Sequence, residues 1–393
     1  MKEFKRFLQF HRTIISMLCI VALVVAFSYT LYLADKAISD REGKIEENKS
    51  QIVNETVDTE KYIEKLYESA EDLIIKKIPG IVCWGDSLTA GMGAQKVNYP
   101  MELEALISQN ITETFNLSSK IKEDYKYLVN KFDHTLSVPV VNMGAVGDTT
   151  NATLGRAGVV PFVLAEDITI PVGRSNVEIK LQSENGSEVA PMRYTDLGME
   201  SVTISGIKGK IEISQASQTS VHYKYYFKRD VEGNSQDVPA GTIVKTSGSE
   251  AYNDHIPIIF IGATGGWETS YELVMENRGM VSGHNKYIII GLPTGTASSR
   301  KNLEDAMVKE FGDNYINLRE YLCTDGLTDA GLTPTAEDLA CMAEGTVPIS
   351  LRAEADNGHL NDIGYTLLAN LVYERMDDLG YFDELRLELE NLK

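Results

Sequence analysis

Continuous apolar runs recur along the chain and predict buried strands. They cover residues 78–84, 138–141, 256–261 and 287–290. Strands that are buried on both faces read as unbroken apolar segments, which is typical of the parallel sheet in an α/β domain. A helical pattern from about 362 to 379 follows and closes the sheet. The sequence therefore predicts an α/β fold.

Between the second and third runs the pattern changes to strict alternation of apolar and polar residues, as at Ile211 and Ile213. Period-two alternation interrupted by turn signals indicates antiparallel strands with one solvated face. We therefore predict an antiparallel β module at 161–254. It is inserted into a single α/β domain formed by 78–160 and 255–393.

The N-terminus carries basic residues followed by a nearly unbroken apolar stretch at 14–33. About 20 apolar residues suffice to span a bilayer as a helix. No small-x-small cleavage site follows, which favours an uncleaved anchor at 1–34 over a cleaved signal peptide. The positive-inside rule then predicts a cytoplasmic N-terminus, a helical stalk at 35–77 and an extracellular catalytic domain on a single-pass membrane protein.

Composition narrows the possible partners. The chain has 37 Lys and Arg against 57 Asp and Glu, a formal net charge of −20, and no basic stripe beyond the N-terminus. This argues against nucleic-acid binding, which needs clustered cations. Cys323 and Cys341 flank a polar loop and either form a disulfide or stay free thiols. No Cys and His spacing is typical of a metal site, and we expect no metal and no cofactor.

One serine stands where α/β sheets place their chemistry. Ser87 directly follows the first apolar run, at the expected carboxyl end of a strand. Far downstream, Asp356 and His359 supply a carboxylate and an imidazole three residues apart. A serine becomes nucleophilic when a base accepts its proton and a third group orients that base. Alternatively, Asp356 caps the last helix and His359 lies on the surface in its first turn.

Three segments in order resemble the SGNH (GDSL-type) hydrolases. They are Gly-Asp-Ser-Leu at 85–88, Asn-x-Gly-x-x-Gly-Asp at 142–148, and Asp-x-x-His-Leu-Asn-x-x-Gly at 356–364. The resemblance covers roughly 78–160 and 255–380. It implies a flavodoxin-like three-layer fold, in which helices cover both faces of a parallel sheet.

The resemblance also implies roles for individual residues. Ser87 is the nucleophile, His359 the base, and Asp356 the group that orients the base. The backbone N–H groups of Ser87 and Gly147 are oxyanion donors, together with an asparagine side chain. This chain departs from the family there, because Gly-Ala-Thr-Gly-Gly places Thr264 where the family has the asparagine of Gly-x-Asn-Asp.

Loss of one oxyanion donor typically lowers the rate by about 10²–10³-fold. Thr264, Asn253 or Trp267 are the candidates to replace the missing amide. We also consider Asp86, Tyr99 and Trp267 as substrate-binding residues. For the two aromatic residues, simple packing is the alternative.

These observations predict a serine esterase that hydrolyses an O-acyl ester outside the cell. Its substrate is then an acylated glycan or another small ester, and the anchor favours an O-acyl group on a cell-surface polysaccharide or cell-wall polymer. One alternative is acyl transfer to a glycan hydroxyl beside a membrane acyltransferase partner. Another is a binding protein with weakened catalysis, which the threonine at position 264 motivates.

Overall fold

The computed structural model describes residues 2–118, 136–215, 223–353 and 358–392. The chain divides into two compact units, Met1–Leu66 and Tyr67–Lys393. The helices are α1 Lys2–Lys77, α2 Ser87–Ala90, α3 Tyr99–Ser118, α4 Thr150–Ala157, α5 Gly248–Ala251, α6 Ser270–Met280, α7 Ala297–Phe311, α8 Leu318–Thr324, α9 Gly326–Asp329, α10 Ala336–Glu344, α11 Asp362–Asp378 and α12 Asp383–Glu390. The strands are β1 Ile81–Gly85, β2 Val140–Gly144, β3 Phe162–Leu164, β4 Ile168–Ile170, β5 Val177–Ile179, β6 Leu181–Ser183, β7 Val202–Ile204, β8 Ile207–Gln215, β9 Tyr223–Arg229, β10 Gln236–Val238, β11 Ile243–Thr246, β12 Ile256–Phe260, β13 Ile288–Ile290 and β14 Tyr315–Ile316.

The first unit is helical and contains the predicted apolar segment. Within the described residues, the helical stretch Phe10–Lys77 is long and apolar enough to cross a membrane, with a mean hydropathy of 2.5 in its apolar window. The side chains of that window are not buried by the protein. Both an anchor and a signal sequence have this length and composition. The prediction of a long apolar N-terminal helix is confirmed, and its orientation across a membrane stays a prediction.

The second unit is built on a five-stranded parallel sheet with the order β14-β13-β12-β1-β2. The predicted parallel α/β sheet is therefore confirmed. Strand β1 lies between β2 and β12, with Gly85 opposite Gly144 on one side and Phe260 on the other. In chain order the strands run 2-1-3-4-5, so the chain leaves β1 in one direction and returns to its other side. Doubly wound proteins bind ligands at such a switch point.

Alternate residues of β1 face two different helical layers, because side chains of a strand point to opposite faces in turn. Val82 and Trp84 belong to one apolar cluster with residues of α4, α6 and α7. On the other face, Cys83 lies beside Tyr99 of α3, and the Tyr99 ring meets the edge of Phe260 at a centroid distance of 6.3 Å. Helix α3 packs in turn against α11 and α12. Helices thus cover both faces.

The inserted segment forms an antiparallel sheet, as its alternation predicted. Seven strands lie in the order β5-β9-β8-β7-β11-β3-β6, and β4 pairs with β10. The longest pairing places Ile211 opposite Phe227 and Ile213 opposite Tyr225. These side chains lie within or against a separate apolar cluster of the insertion. The insertion therefore has its own core.

A buried arginine joins the insertion to the parallel sheet. Only 1% of the Arg156 side chain is exposed, and its Nε donates to Asp148 Oδ2 at 2.6 Å. Its other nitrogens donate to the backbone carbonyls of Met143 at 3.1 Å, Gly85 at 3.2 Å and Leu197 at 3.3 Å. One guanidinium therefore connects the ends of β1 and β2 with the insertion. A buried cation is tolerated when its hydrogen bonds are satisfied in this way.

We expect Arg156→Met to destabilise the protein by about 3–5 kcal/mol, because it leaves the Asp148 carboxylate buried without a counter-charge. Burial raises the pKa of Asp148, and the Arg156 guanidinium opposes that rise. Without the guanidinium the pKa rises further above the unfolded value, so the loss of stability grows as the pH increases from 5 to 8. Denaturant unfolding of the full chain in detergent measures this loss.

The matched control is Arg156→Met combined with Asp148→Asn. The second change removes the uncompensated charge and is expected to restore more than half of the lost stability. Equal destabilisation of the single and double variants would show that the ion pair is not the source of the effect.

Candidate active site

Ser87 is the first residue of the short helix α2, directly after the tight turn at Asp86 that follows β1, and 7% of it is exposed. The turn packs directly on neighbouring backbone. A Cβ atom added to Gly85 would lie 2.2 Å from Thr89 Oγ1, and one added to Gly144 would lie 2.2 Å from the Ala90 nitrogen. These contacts are too short for any side chain. The two glycines therefore allow the serine turn to rest on the strand ends.

Asp86 fixes this turn to the loop after β12. Its Oδ1 accepts a hydrogen bond from the Leu88 N–H at 3.0 Å, which caps α2. Its Oδ2 accepts from the Thr264 N–H at 3.2 Å and from the Thr264 hydroxyl at 3.3 Å. Burial raises the pKa of Asp86, and these hydrogen bonds and nearby His359 oppose the rise. Only 2% of Asp86 is exposed, so it positions the turn rather than lining a substrate pocket.

His359 reaches the serine from the other end of the domain. Ser87 Oγ and His359 Nε2 are 2.7 Å apart, although 272 residues separate them in the chain. This distance is within the range in which a base removes a hydroxyl proton. With a neutral ring that carries its proton on Nδ1, the serine hydroxyl donates to Nε2. The structure thus brings the predicted nucleophile and base into direct contact.

Backbone pairing holds His359 in this position. The Ala353 N–H donates to the His359 carbonyl at 3.1 Å, and the Asn361 N–H donates to the Leu351 carbonyl at 3.1 Å. The loop after α2 also packs against His359. A Cβ atom at Gly93, whose φ is +98°, would lie 2.8 Å from His359 Cβ. The backbone of His359 is therefore held by pairing with residues 351–353 on one side and packs against the loop that contains Gly93.

Asp356 lies outside the described residues. The residue that caps α11 is instead Asn361, whose side chain accepts from the Gly364 N–H at 3.0 Å. The alternative in which Asp356 caps this helix is therefore wrong. His359 precedes the capping residue and therefore does not lie in the first helical turn. It belongs to a backbone segment that pairs with residues 351–353.

The two backbone N–H groups that the resemblance implies as oxyanion donors are those of Ser87 and Gly147. In the described part of the chain, no acceptor receives the N–H of Ser87 or of Gly147. Gly147 has a φ of +77°, which glycine adopts without strain. Thr264 is engaged differently, because its hydroxyl has a single proton and donates it to Asp86. In this conformation that hydroxyl does not serve as the third donor.

The other candidate side chains are engaged in packing or lie elsewhere. Asn253 precedes β12, so a five-residue strand of about 3.3 Å per residue separates it from the carboxyl edge. The Trp267 indole is partly buried and donates to the Gly262 carbonyl at 2.9 Å. Tyr99 is fully buried. Packing therefore describes both aromatic residues better than substrate contact does.

Cys323 and Cys341 are both free thiols in the structure, Cys323 buried on α8 and Cys341 partly buried on α10. This corresponds to the second of the two alternatives drawn from the sequence. Across the residues that the structure describes, no group of three His, Cys, Asp or Glu side chains is arranged to hold a metal ion.

Comparison with known proteins gives no match. A scan against models of protein families, a search of curated proteins and a search of solved structures each return nothing that matches the chain. The described residues form an α/β protein with an antiparallel insertion and an apolar N-terminal helix.

Some residues around the site were not predicted. Arg156 gave a weak signal, since it is an arginine inside a short helix that directly follows the glycine motif. The insertion also contributes Arg193 and Tyr194, which lie against Gly147. Their position gave no signal, because it depends on how a separate sheet packs on the domain.

For the esterase activity that the sequence predicts, we expect Thr264→Val to lower kcat by less than about tenfold. The valine keeps the shape and the backbone hydrogen bond to Asp86 and removes only the hydroxyl, a loss of about 1 kcal/mol. If the hydroxyl were an oxyanion donor, the loss would be about 10²–10³-fold. Steady-state kinetics with a small ester distinguish the two, and Thr264→Ser, which retains the hydroxyl, is the control.

The carboxylate of Asp338 is linked to the segment around His359 through hydrogen bonds of Ser350 and Asn361. Asp338 is fully buried and accepts from the Ser350 N–H at 2.9 Å, the Ser350 hydroxyl at 2.8 Å and the Thr335 N–H at 3.0 Å. The carbonyl of Ser350 in turn accepts from Asn361 Nδ2 at 2.8 Å. Burial alone would raise the pKa of Asp338, but the hydrogen bonds outweigh it and lower the pKa to about 2.

We expect Asp338→Asn to lower the stability at pH 7 by about 1–3 kcal/mol, because the amide nitrogen faces hydrogen-bond donors. The folded pKa lies below the unfolded value of about 3.9, so the stabilisation is complete above that value. It is lost as the pH falls through 2. The difference between wild type and variant therefore shrinks from pH 4 to pH 2 in thermal unfolding. Glu337→Gln, at an exposed position on the same helical turn, is expected to show no such trend.

Proposed function

We propose that this protein is a membrane-anchored serine esterase of the SGNH (GDSL-type) class. The observation that carries the proposal is the 2.7 Å contact between Ser87 Oγ and His359 Nε2. The contact lies at the carboxyl end of β1, beside the switch point of the sheet. The strand order 2-1-3-4-5 is the flavodoxin-like order that the resemblance implies. A lone surface serine would have none of these features.

In the first half of the reaction, Ser87 Oγ attacks the carbonyl carbon of the ester while His359 Nε2 takes the hydroxyl proton. The carbonyl oxygen becomes an oxyanion and accepts hydrogen bonds from the N–H groups of Ser87 and Gly147. The ester C–O bond then breaks, and the leaving alcohol takes the proton from His359. An acyl-serine remains.

In the second half, His359 removes a proton from water, and the resulting hydroxide attacks the acyl carbon. The second tetrahedral intermediate uses the same two backbone donors. Its collapse breaks the bond to Ser87 Oγ, which recovers its proton from His359, and the carboxylic acid is released. By the resemblance, Asp356 orients the imidazole throughout. With two donors rather than three, oxyanion stabilisation is weaker than in family members with the asparagine.

The proposed substrate follows from location. An uncleaved anchor with its basic end in the cytoplasm holds the catalytic unit outside the membrane. There, the accessible esters are O-acyl groups on a cell-surface polysaccharide or cell-wall polymer. The acidic net charge fits a protein that binds no nucleic acid.

A fluorophosphonate probe tests the proposal directly, since it forms a covalent bond only with an activated serine. We expect the full chain in detergent to be labelled on the tryptic peptide that contains Ser87. Ser87→Ala abolishes the labelling and lowers kcat for p-nitrophenyl acetate by about 10⁴-fold or more. His359→Ala has a comparable effect, because the hydroxyl then has no base.

Ser282→Ala and His284→Ala serve as matched controls on the same domain, and both retain full labelling. Circular dichroism confirms that each variant is folded. A folded wild-type protein that takes no label, or undiminished labelling of Ser87→Ala, would exclude the proposed function.

A further inference from the structure

A loop of the β insertion lies against the glycine that we propose as an oxyanion donor. A Cβ atom at Gly147 would lie 2.9 Å from Tyr194 Cε2 and 4.0 Å from Arg193 Cδ. The open face of Gly147 is therefore covered by an aromatic ring and an aliphatic stem from the insertion. Both side chains are exposed, Tyr194 by 71%. A large aromatic ring at such exposure, beside a reaction centre, is suited to contact a ligand.

The loop is held in place on both sides. On one side, the buried Tyr225 hydroxyl donates to the Pro191 carbonyl at 2.9 Å. On the other side, the Leu197 carbonyl accepts from Arg156 at 3.3 Å. Between them, Met192 has a φ of +64°. This left-handed conformation is strained for a methionine, and strain of this kind concentrates at ligand sites. The surrounding structure thus enforces the conformation that presents the next two residues.

Arg193 acts electrostatically on the buried carboxylate of Asp148, but its guanidinium forms no ion pair within the described residues. Two lysines of the insertion do form ion pairs, Lys180 with Glu166 and Lys224 with Glu178. Arg193 lies over the Tyr223 ring at 5.6 Å and makes no ion pair within the described residues. An exposed guanidinium that forms no ion pair is available to an external anion.

We propose that this loop forms a saccharide subsite, in which Tyr194 stacks on the sugar that bears the ester and Arg193 binds an acidic group of that sugar. The assignment rests on the proposed esterase function. The predicted ligand is an acidic glycan, with a carboxylate or phosphate close to the acylated hydroxyl. A guanidinium is suited to both anions because its planar N–H groups bind two oxygens at once. The insertion would then determine specificity while the sheet provides the chemistry.

Direct binding tests the subsite without requiring catalysis. We titrate the full chain in detergent with trigalacturonate, an acidic trisaccharide, and with xylotriose, a neutral one, by calorimetry. The wild type is expected to bind the acidic ligand about tenfold more tightly or better, since a charge-assisted hydrogen bond supplies this much. Raising the salt concentration from 50 to 300 mM weakens only the acidic ligand.

Variants separate the two side chains. Arg193→Gln reduces the affinity for trigalacturonate about tenfold and removes the preference for the acidic ligand. Tyr194→Ala weakens both ligands, and Tyr194→Phe restores them because the ring is retained. Arg174→Gln is the matched control. It removes an exposed arginine that precedes β5, at the far end of β9 from Tyr223, and leaves both affinities unchanged.

Parallel labelling with the fluorophosphonate distinguishes two kinds of failure. If Ser87 is labelled but the wild type shows no preference for trigalacturonate, or if Arg193→Gln and Tyr194→Ala bind like the wild type, the subsite is disproved and the esterase stands. If the chain binds trigalacturonate but is not labelled, the proposed function fails, and with it the assignment of the loop to a substrate site.

Discussion

The buried guanidinium of Arg156 is the interaction on which the geometry of the site depends. It lies beneath the ends of β1 and β2 and uses its nitrogens on three backbone carbonyls and the carboxylate of Asp148. One of those carbonyls belongs to Gly85, two residues before Ser87, and another to Leu197 of the insertion. A planar cation with several donors satisfies all of them at once, which an apolar side chain of similar size does not. The turn that carries Ser87, the loop after β2 that contains Gly147, and the insertion are thereby fixed relative to one another.

The histidine is positioned by a separate chain of contacts. Asp338 binds Ser350, Ser350 accepts from Asn361, and the backbone around 351–353 pairs with 359–361. Each link is a hydrogen bond to a buried or partly buried group, so removing one leaves a polar atom without its partner. The contact between Ser87 and His359 therefore joins two segments that are each held by their own hydrogen bonds. A precise hydroxyl-to-imidazole distance requires support of this kind on both sides.

The buried carboxylate of Asp86 accounts for the orientation of the Thr264 hydroxyl. The N–H and the hydroxyl of Thr264 both donate to Asp86, so this residue supports the turn that precedes Ser87. The insertion contacts Gly147 through Tyr194. Under the proposed function, the parallel sheet provides the reacting groups and the insertion contributes to the recognition of the substrate.

The sequence by itself determined the classes of element. Unbroken apolar runs indicated the parallel strands, period-two alternation indicated the antiparallel insertion, and a long apolar stretch indicated the N-terminal helix. It also placed Ser87 at a strand end and paired it with His359. These features report burial and local conformation, and a periodic pattern encodes both directly.

Only the tertiary structure decided which polar groups meet. Asn253 lies at the end of the insertion and close in sequence to β12, yet the length of that strand separates it from the edge of the sheet where Ser87 lies. The Thr264 hydroxyl donates to Asp86. Tyr194, which belongs to the insertion with its separate apolar core, packs against Gly147. Such contacts depend on the packing of elements that are far apart in the chain. Hydrogen bonds of about 3 Å are set by that packing, and no local pattern records it.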